Sequence, residues 1–274
     1  MPEDLENLQD LESYAPAEKP TYQHIHLASA QGIVRITLNR PPANVLSIEV
    51  MRELIAALDS LEYQRDVKLV TLFASGKYFS AGFEIGEHFG DRAYVMLESF
   101  RRIFEGLASL DKPTLAVVSG PALGAGCLLA AGCDIVLAAQ SAKFGHPEVR
   151  GAVFNTVAAA LLPRLIGRKR AADMLLLGNT LGAAEAEKIG LITRACPDDR
   201  LEAEASAMIQ RFQESSAPVM QLVRRAMVGG LDLPYEDAVR HAEDVYLNQL
   251  MATQDMEEGL KAVLEKRKPV WKDR

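Results

Sequence analysis

The sequence predicts an α/β fold with a largely parallel sheet, followed by a helical C-terminal region. Three observations carry this reading. Apolar runs bounded by turn residues alternate with segments of helical period up to about residue 145. Two glycine-rich segments, Ser75–Phe83 and Ser119–Cys127, each follow such an apolar run. From Val219 onward the pattern is helical throughout, with Leu222, Val223 and Met227, then Tyr235 to Met251, then Met256 to Leu264. A strand–helix alternation of this kind implies right-handed crossovers and parallel strand pairing.

Taken in order, Thr21 to Leu27 and Gly32 to Leu38 read as two short strands around a turn at Ser29–Gly32. Asn39-Arg40-Pro41-Pro42 stops the sheet, because proline has no N–H to donate. Ser47 caps a helix whose apolar positions are Met51, Leu54, Ile55, Leu58 and Leu61. Val67 to Phe73 is a buried strand, and a helix carrying Phe100, Ile103, Phe104 and Leu107 follows. Thr114 to Val118 is the next strand; the second glycine segment opens a short helix, and Asp134 to Ala138 returns as a strand. Beyond residue 145 the pattern predicts helices only: Val157–Leu165, Lys169–Leu177, Ala183–Ile189 and Leu201–Phe212. The helical tail either folds back over the core or meets another subunit.

Composition bounds the function. An apolar content of 49% and a charged content of 24% are those of a soluble globular protein. A net charge of −7 argues against nucleic acid as the main partner. The apolar run Ala122–Ala131 is short and broken by glycine, which excludes a membrane span there. Residues 1–20 carry Glu3, Asp4, Glu6, Asp10, Glu12 and Glu18 against Lys19, the wrong charge for a targeting peptide, and read as an acidic, partly disordered extension. Cys127, Cys133 and Cys196 have neither metal spacing nor an even disulfide count, and Cys127 and Cys133 lie in apolar surroundings, so buried reduced thiols in a cytoplasmic protein are expected. His24 and His26 alternate on a strand and read as ordinary strand residues, and no metal is expected.

The glycine segments carry the chemistry. A glycine-rich entry to a helix presents backbone N–H groups that no side chain blocks, and two such loops can supply the paired donors of an oxyanion hole. Gly124-Ala125-Gly126 lacks the third glycine of a dinucleotide fingerprint, and the chain has no Gly-Lys-Ser/Thr phosphate loop. For either loop alone, tight packing of helix on sheet is the competing explanation.

Four stretches together resemble the enoyl-CoA hydratase/isomerase (crotonase) family: Ile36-Thr37-Leu38-Asn39-Arg40-Pro41, Phe79 to Ile85, Gly120 to Cys127 with Cys133-Asp134-Ile135, and Ala142 to Glu148. The resemblance spans residues 21–274. It implies a spiral of strand-strand-helix turns over residues 21–200 and a helical trimerisation region over 201–274, with trimers or hexamers as assemblies. The implied ligand is an acyl-CoA thioester, with no cofactor beyond its CoA moiety. The Phe83 and Ala125 N–H groups would hold the thioester oxygen, flanked by Ala81, Gly82 and Gly124, each donor contributing about 2.7–4 kcal/mol to barrier lowering. Glu148 would be the acid/base residue.

One position departs from the family's hydratases, which carry a second glutamate where this chain has Leu128. Leu128 then shapes the acyl pocket and leaves Glu148 as the single carboxylate. Pro41 to Leu46, Val157 to Gly167 and the ending Glu257 to Trp271 resemble the cyclohexa-1,5-diene-1-carbonyl-CoA hydratases of anaerobic aromatic degradation, although Phe154-Asn155-Thr156 departs from the proline-containing sequence expected there. Three readings follow: hydration of an unsaturated, cyclic dienoyl thioester; isomerisation with Glu148 alone; or a catalytically silent acyl-CoA-binding protein. His88, His146 and Asn155 are further catalytic candidates. Lys266 and Lys268, beside Arg267, are candidates for the CoA phosphates, and Arg40 is another. Arg164, Arg168, Lys169 and Arg170 read as a solvated helix face, and Glu84 and Glu87 as loop-surface carboxylates.

Overall fold

The structure is a computed structural model that describes residues 21–274. The acidic extension expected over residues 1–20 lies outside the described residues. The chain opens with β1 (Ile25–Ala30) and β2 (Ile33–Leu38), paired antiparallel with Ile25 opposite Leu38. Ser47 caps α1 (Ile48–Leu61) by accepting from the Val50 N–H, as its position before the first apolar repeat required. Then follow β3 (Leu69–Ala74), α2 (Asp91–Ser109), β4 (Thr114–Val118), the two-residue β5 (Ala122–Leu123), α3 (Ala125–Ala131), β6 (Ile135–Ala139) and β7 (Lys143–Gly145). The remainder is α4 (Thr156–Leu177), β8 (Thr180–Gly182), α5 (Ala183–Lys188), β9 (Arg194–Cys196), α6 (Leu201–Gln213), α7 (Ala217–Gly229), α8 (Tyr235–Asn248) and α9 (Gln254–Leu264).

The main sheet has the order β1-β2-β3-β4-β6-β9 and is parallel from β2 onward. A second sheet, β5-β7-β8, stands beside it. Residues of β4 are buried throughout, because both faces of the sheet are covered. On one face α1, α2 and α3 pack around Met51, Leu54, Phe79, Phe100, Ile103 and Leu128. On the other, Leu201 and Ala205 of α6 lie against Leu69, Leu115, Val117 and Leu137.

Three expectations need correction. Strands do not end at residue 145: β8 and β9 follow, each three residues long. A three-residue strand is too short to display a period of two, so it leaves no pattern to read. Val157–Leu165 and Lys169–Leu177 belong to one element, α4, broken at Gly167, whose φ of 75° and ψ of 154° are not helical. Glu87 is not on the surface; its side chain is 2% exposed.

The C-terminal region folds back over the core. Buried Arg224 on α7 donates to Asp134 at 2.7 Å, to the Leu107 carbonyl at 2.7 Å and to the Leu110 carbonyl. Asp255 accepts from Ser216 Oγ at 2.6 Å and from the Lys272 and Asp273 N–H groups, which ties the chain end to α7 and α9. Lys68 completes the tie through Asp273 at 3.0 Å. Val223, Met227, Leu231, Tyr235, Val263 and Leu264 nevertheless stay exposed.

Candidate active site

The two glycine segments meet face to face. Phe79 N–H donates to the Pro121 carbonyl at 3.0 Å, and Leu123 N–H to the Ser80 carbonyl at 2.9 Å. This contact depends on the absence of side chains. A Cβ on Gly126 would stand 2.5 Å from Ser80 Cβ, and one on Gly82 would stand 3.1 Å from the Leu123 carbonyl oxygen and 3.5 Å from the Ala125 nitrogen. Gly82 also has φ +101°, which side-chain-bearing residues avoid. Phe83 N–H and Ala125 N–H, one from each loop, donate to no other group among the described residues.

The third component comes from β7. Its last residue, Gly145, accepts from the Gly124 N–H at 2.8 Å, so the second loop and β7 are locked together. The chain then turns through a 3-10 helix, Pro147–Gly151, that carries Glu148. A Cβ on Gly124 would lie 2.9 Å from the Glu148 carboxyl carbon, so the carboxylate occupies the space that glycine leaves open. Both Glu148 oxygens are buried and make no hydrogen bond. The nearest charged partner is His146, whose Nδ1 is 3.5 Å from Oε2.

A cavity of about 400 Å³ connects these parts. Ala81, Gly82 and Phe83 line it from the first loop, Gly124 from the second, and Pro147, Glu148, Gly151 and Val153 from the 3-10 turn. Ile85, His88 and Phe89 close the remaining side. Glu148 and His88 are the ionisable groups in this lining. Phe83 is fixed edge-on against Phe100, with ring centroids 4.8 Å apart, and His88 packs edge-on against Phe83 at 5.9 Å. Such a site has room for an apolar group, offers two N–H donors to an oxygen that gains negative charge, and places one carboxylate beside it.

The sequence-derived candidates divide accordingly. Ala81, Gly82, Phe83, His88, Gly124 and Glu148 line one cavity, with the Ala125 nitrogen at its loop junction. Leu128, on α3, is fully buried in the main core. His146 is 1% exposed and lies behind Glu148 rather than in the cavity wall. Asn155 caps α4, its Oδ1 accepting from the Ala158 N–H at 3.0 Å. Arg40 pairs with Glu84 at 3.1 Å and also donates to the Val45 carbonyl. Lys266 and Lys268 are exposed just past α9, and neither lines the cavity.

Glu87 has a structural task that its place in a charged loop concealed. It accepts from the Ile48 N–H at 2.9 Å and from Arg92 at 2.9 Å, anchoring the loop after Phe83 to the start of α1. Ile85, Phe89 and Val153 were not singled out from the sequence. The available signal was large apolar side chains inside a loop; Ile85 and Phe89 remain 76% and 73% exposed at the cavity mouth.

Burial and charge set the ionisation of two buried groups. Burial opposes the charged form of His146, yet Cys127 and Glu148 beside the ring outweigh it and raise its pKa from 6.5 to about 9. Burial pushes the Cys133 thiol up to about 12, which keeps it protonated and inert.

Comparison with known proteins shows the family. The family model for enoyl-CoA hydratase/isomerase matches residues 28–274. A probable enoyl-CoA hydratase of Rhizobium meliloti is 38% identical over 252 residues, covering 90% of this chain and 98% of the relative. A cyclohexa-1,5-dienecarbonyl-CoA hydratase of Thauera aromatica is 33% identical over 247 residues, covering 88% of this chain and 93% of that one. The crystal structure of an enoyl-CoA hydratase from Mycobacterium smegmatis superposes with a TM-score of 0.87 at 29% identity, over 91% of this chain and 99% of that chain. The chain belongs to the enoyl-CoA hydratase/isomerase family and has its crotonase fold.

Proposed function

We propose that the protein adds water reversibly across a double bond conjugated to an acyl-CoA thioester, and that the acyl group is a cyclic diene of the cyclohexa-1,5-diene-1-carbonyl type. The observation that carries the reading is the unpartnered Glu148 carboxylate in the wall of an apolar cavity that abuts two free N–H groups. The thioester oxygen accepts from Phe83 and Ala125 N–H, and electron density moves onto it as hydroxide adds to the β carbon. Glu148 takes the proton from the attacking water and returns it to the α carbon, so one carboxylate serves both halves of the addition. The donors cost little reorganisation because the loop contacts already fix them.

Two features support a ring substrate: the aromatic wall of Phe83, His88 and Phe89, and the relative from Thauera aromatica named for such a thioester. Arg40, Lys266 and Lys268 are the cations proposed for the CoA phosphates. The exposed apolar residues of α7 to α9 support assembly into trimers or dimers of trimers, and the acidic balance supports a cytoplasmic enzyme acting on small molecules. Leu128 favours a second reading, isomerisation, because moving a double bond needs one proton carrier and no water.

Incubation with cyclic and linear unsaturated thioesters in heavy-oxygen water tests the proposal. Incorporation of label into the product of the cyclic diene supports it. Double-bond migration without label replaces it with isomerisation, and binding without either reaction overturns both.

A further inference from the structure

We propose that His146 is the positioning residue for Glu148: its buried ring, held behind the carboxylate, keeps that group turned into the cavity. The inference rests on the reading of Glu148 as the acid/base group. His146 leaves β7 as the residue before Pro147-Glu148, and its side chain is buried to 1% exposure. Its Nδ1 stands 3.5 Å from Glu148 Oε2. Neither ring nitrogen and neither carboxylate oxygen has a hydrogen-bond partner among the described residues.

A buried carboxylate with no hydrogen bond has nothing of its own to fix which rotamer it holds. His146, with Nδ1 3.5 Å from Oε2, attracts that oxygen from behind and limits this freedom. The groups that face the pair are few. Cys127 on α3 and Glu148 on the 3-10 turn stand against the ring, and His88 shares the cavity wall with Glu148. Leu128 follows Cys127 and brings no charge. The raised pKa of the ring agrees with a cation at neutral pH.

Two measurements on the full-length protein test this. In the first, histidine is labelled with ¹⁵N and the His146 imidazole, assigned by its loss in His146→Gln, is titrated in the parent and in Glu148→Gln. The proposal expects its midpoint to fall by about 1–3 pH units when the Glu148 charge is removed; an unmoved midpoint overturns it. In the second, kcat/KM is followed against pH for the parent, His146→Gln and His146→Leu on the best thioester. The expected result is a profile lowered through kcat in both variants with KM little changed, and lowered further in His146→Leu, because glutamine retains a donor. Profiles that superpose on the parent overturn the proposal. If His146→Leu does not fold, the imidazole titration still decides. Parental turnover by Glu148→Gln would overturn both this inference and the reading beneath it, whereas a slow Glu148→Gln beside a His146→Gln profile that superposes on the parent would overturn this inference alone.

Discussion

Replacing Gly124 by alanine probes the point where the second loop and the carboxylate depend on a missing side chain. Gly124 has φ +52° and ψ −125°, a conformation that costs a residue with a Cβ about 1–3 kcal/mol. The new methyl would also lie 2.9 Å from the Glu148 carboxyl carbon, well inside van der Waals contact. Glu148 must therefore rotate away, or the loop must shift. Because about 1 kcal/mol corresponds to about 2–4 °C for a chain of this size, the melting temperature should fall by about 2–12 °C. Turnover should fall much further than stability. Displacing the acid/base group removes about 10²–10⁴-fold of rate, while the apolar cavity still binds thioester. Thermal unfolding by circular dichroism, thioester binding by calorimetry and steady-state turnover on the same preparation separate these effects. A variant with parental kcat and parental melting temperature would refute the placement of Glu148 against Gly124.

Other outcomes follow from the same structure. Arg224→Leu should destabilise the fold by about 3–5 kcal/mol, measured by urea unfolding, because it removes the cation paired with Asp134, which keeps only its Thr114 donors, and the donor to two carbonyls. Ala125→Pro should abolish turnover by deleting an oxyanion donor, and full activity in a variant with unaltered folding and assembly would remove that N–H from the mechanism. His146 has a folded pKa raised from 6.5 to about 9, so its contribution to stability is complete below pH 6.5 and is lost as pH rises through about 9. The melting temperature of the parent should therefore decline across that window, and the decline should shrink in His146→Gln.

Much of this architecture was legible because it rests on local rules. Ser47 before a run of apolar residues at helical spacing marks the start of α1, and the cap forms at that residue. The glycine segments were legible as paired loops because close backbone approach has few other causes. What stayed hidden depends on distant parts of the chain. The strands β8 and β9 exist because β7 and β6 offer them edges, not because three residues prefer extension. Glu87 looks like a solvated loop charge until α1 brings the Ile48 N–H to it. Asn155 shows no second task in the sequence, yet its Oδ1 caps α4 while its Nδ2 stays buried without a partner. The cavity walls at Ile85, Phe89 and Val153 come from two loops that only the fold makes neighbours.

The central claim is that Glu148 is the group that moves the proton. Glu148→Gln keeps the shape of the side chain and removes its basicity, and the decisive measurement is its turnover of the best unsaturated thioester beside its affinity for that thioester. The rate should fall by about 10²–10⁴-fold with affinity nearly unchanged. A rate equal to that of the parent would contradict the claim and move the proton chemistry to another group, with His88 the other ionisable residue of the cavity wall.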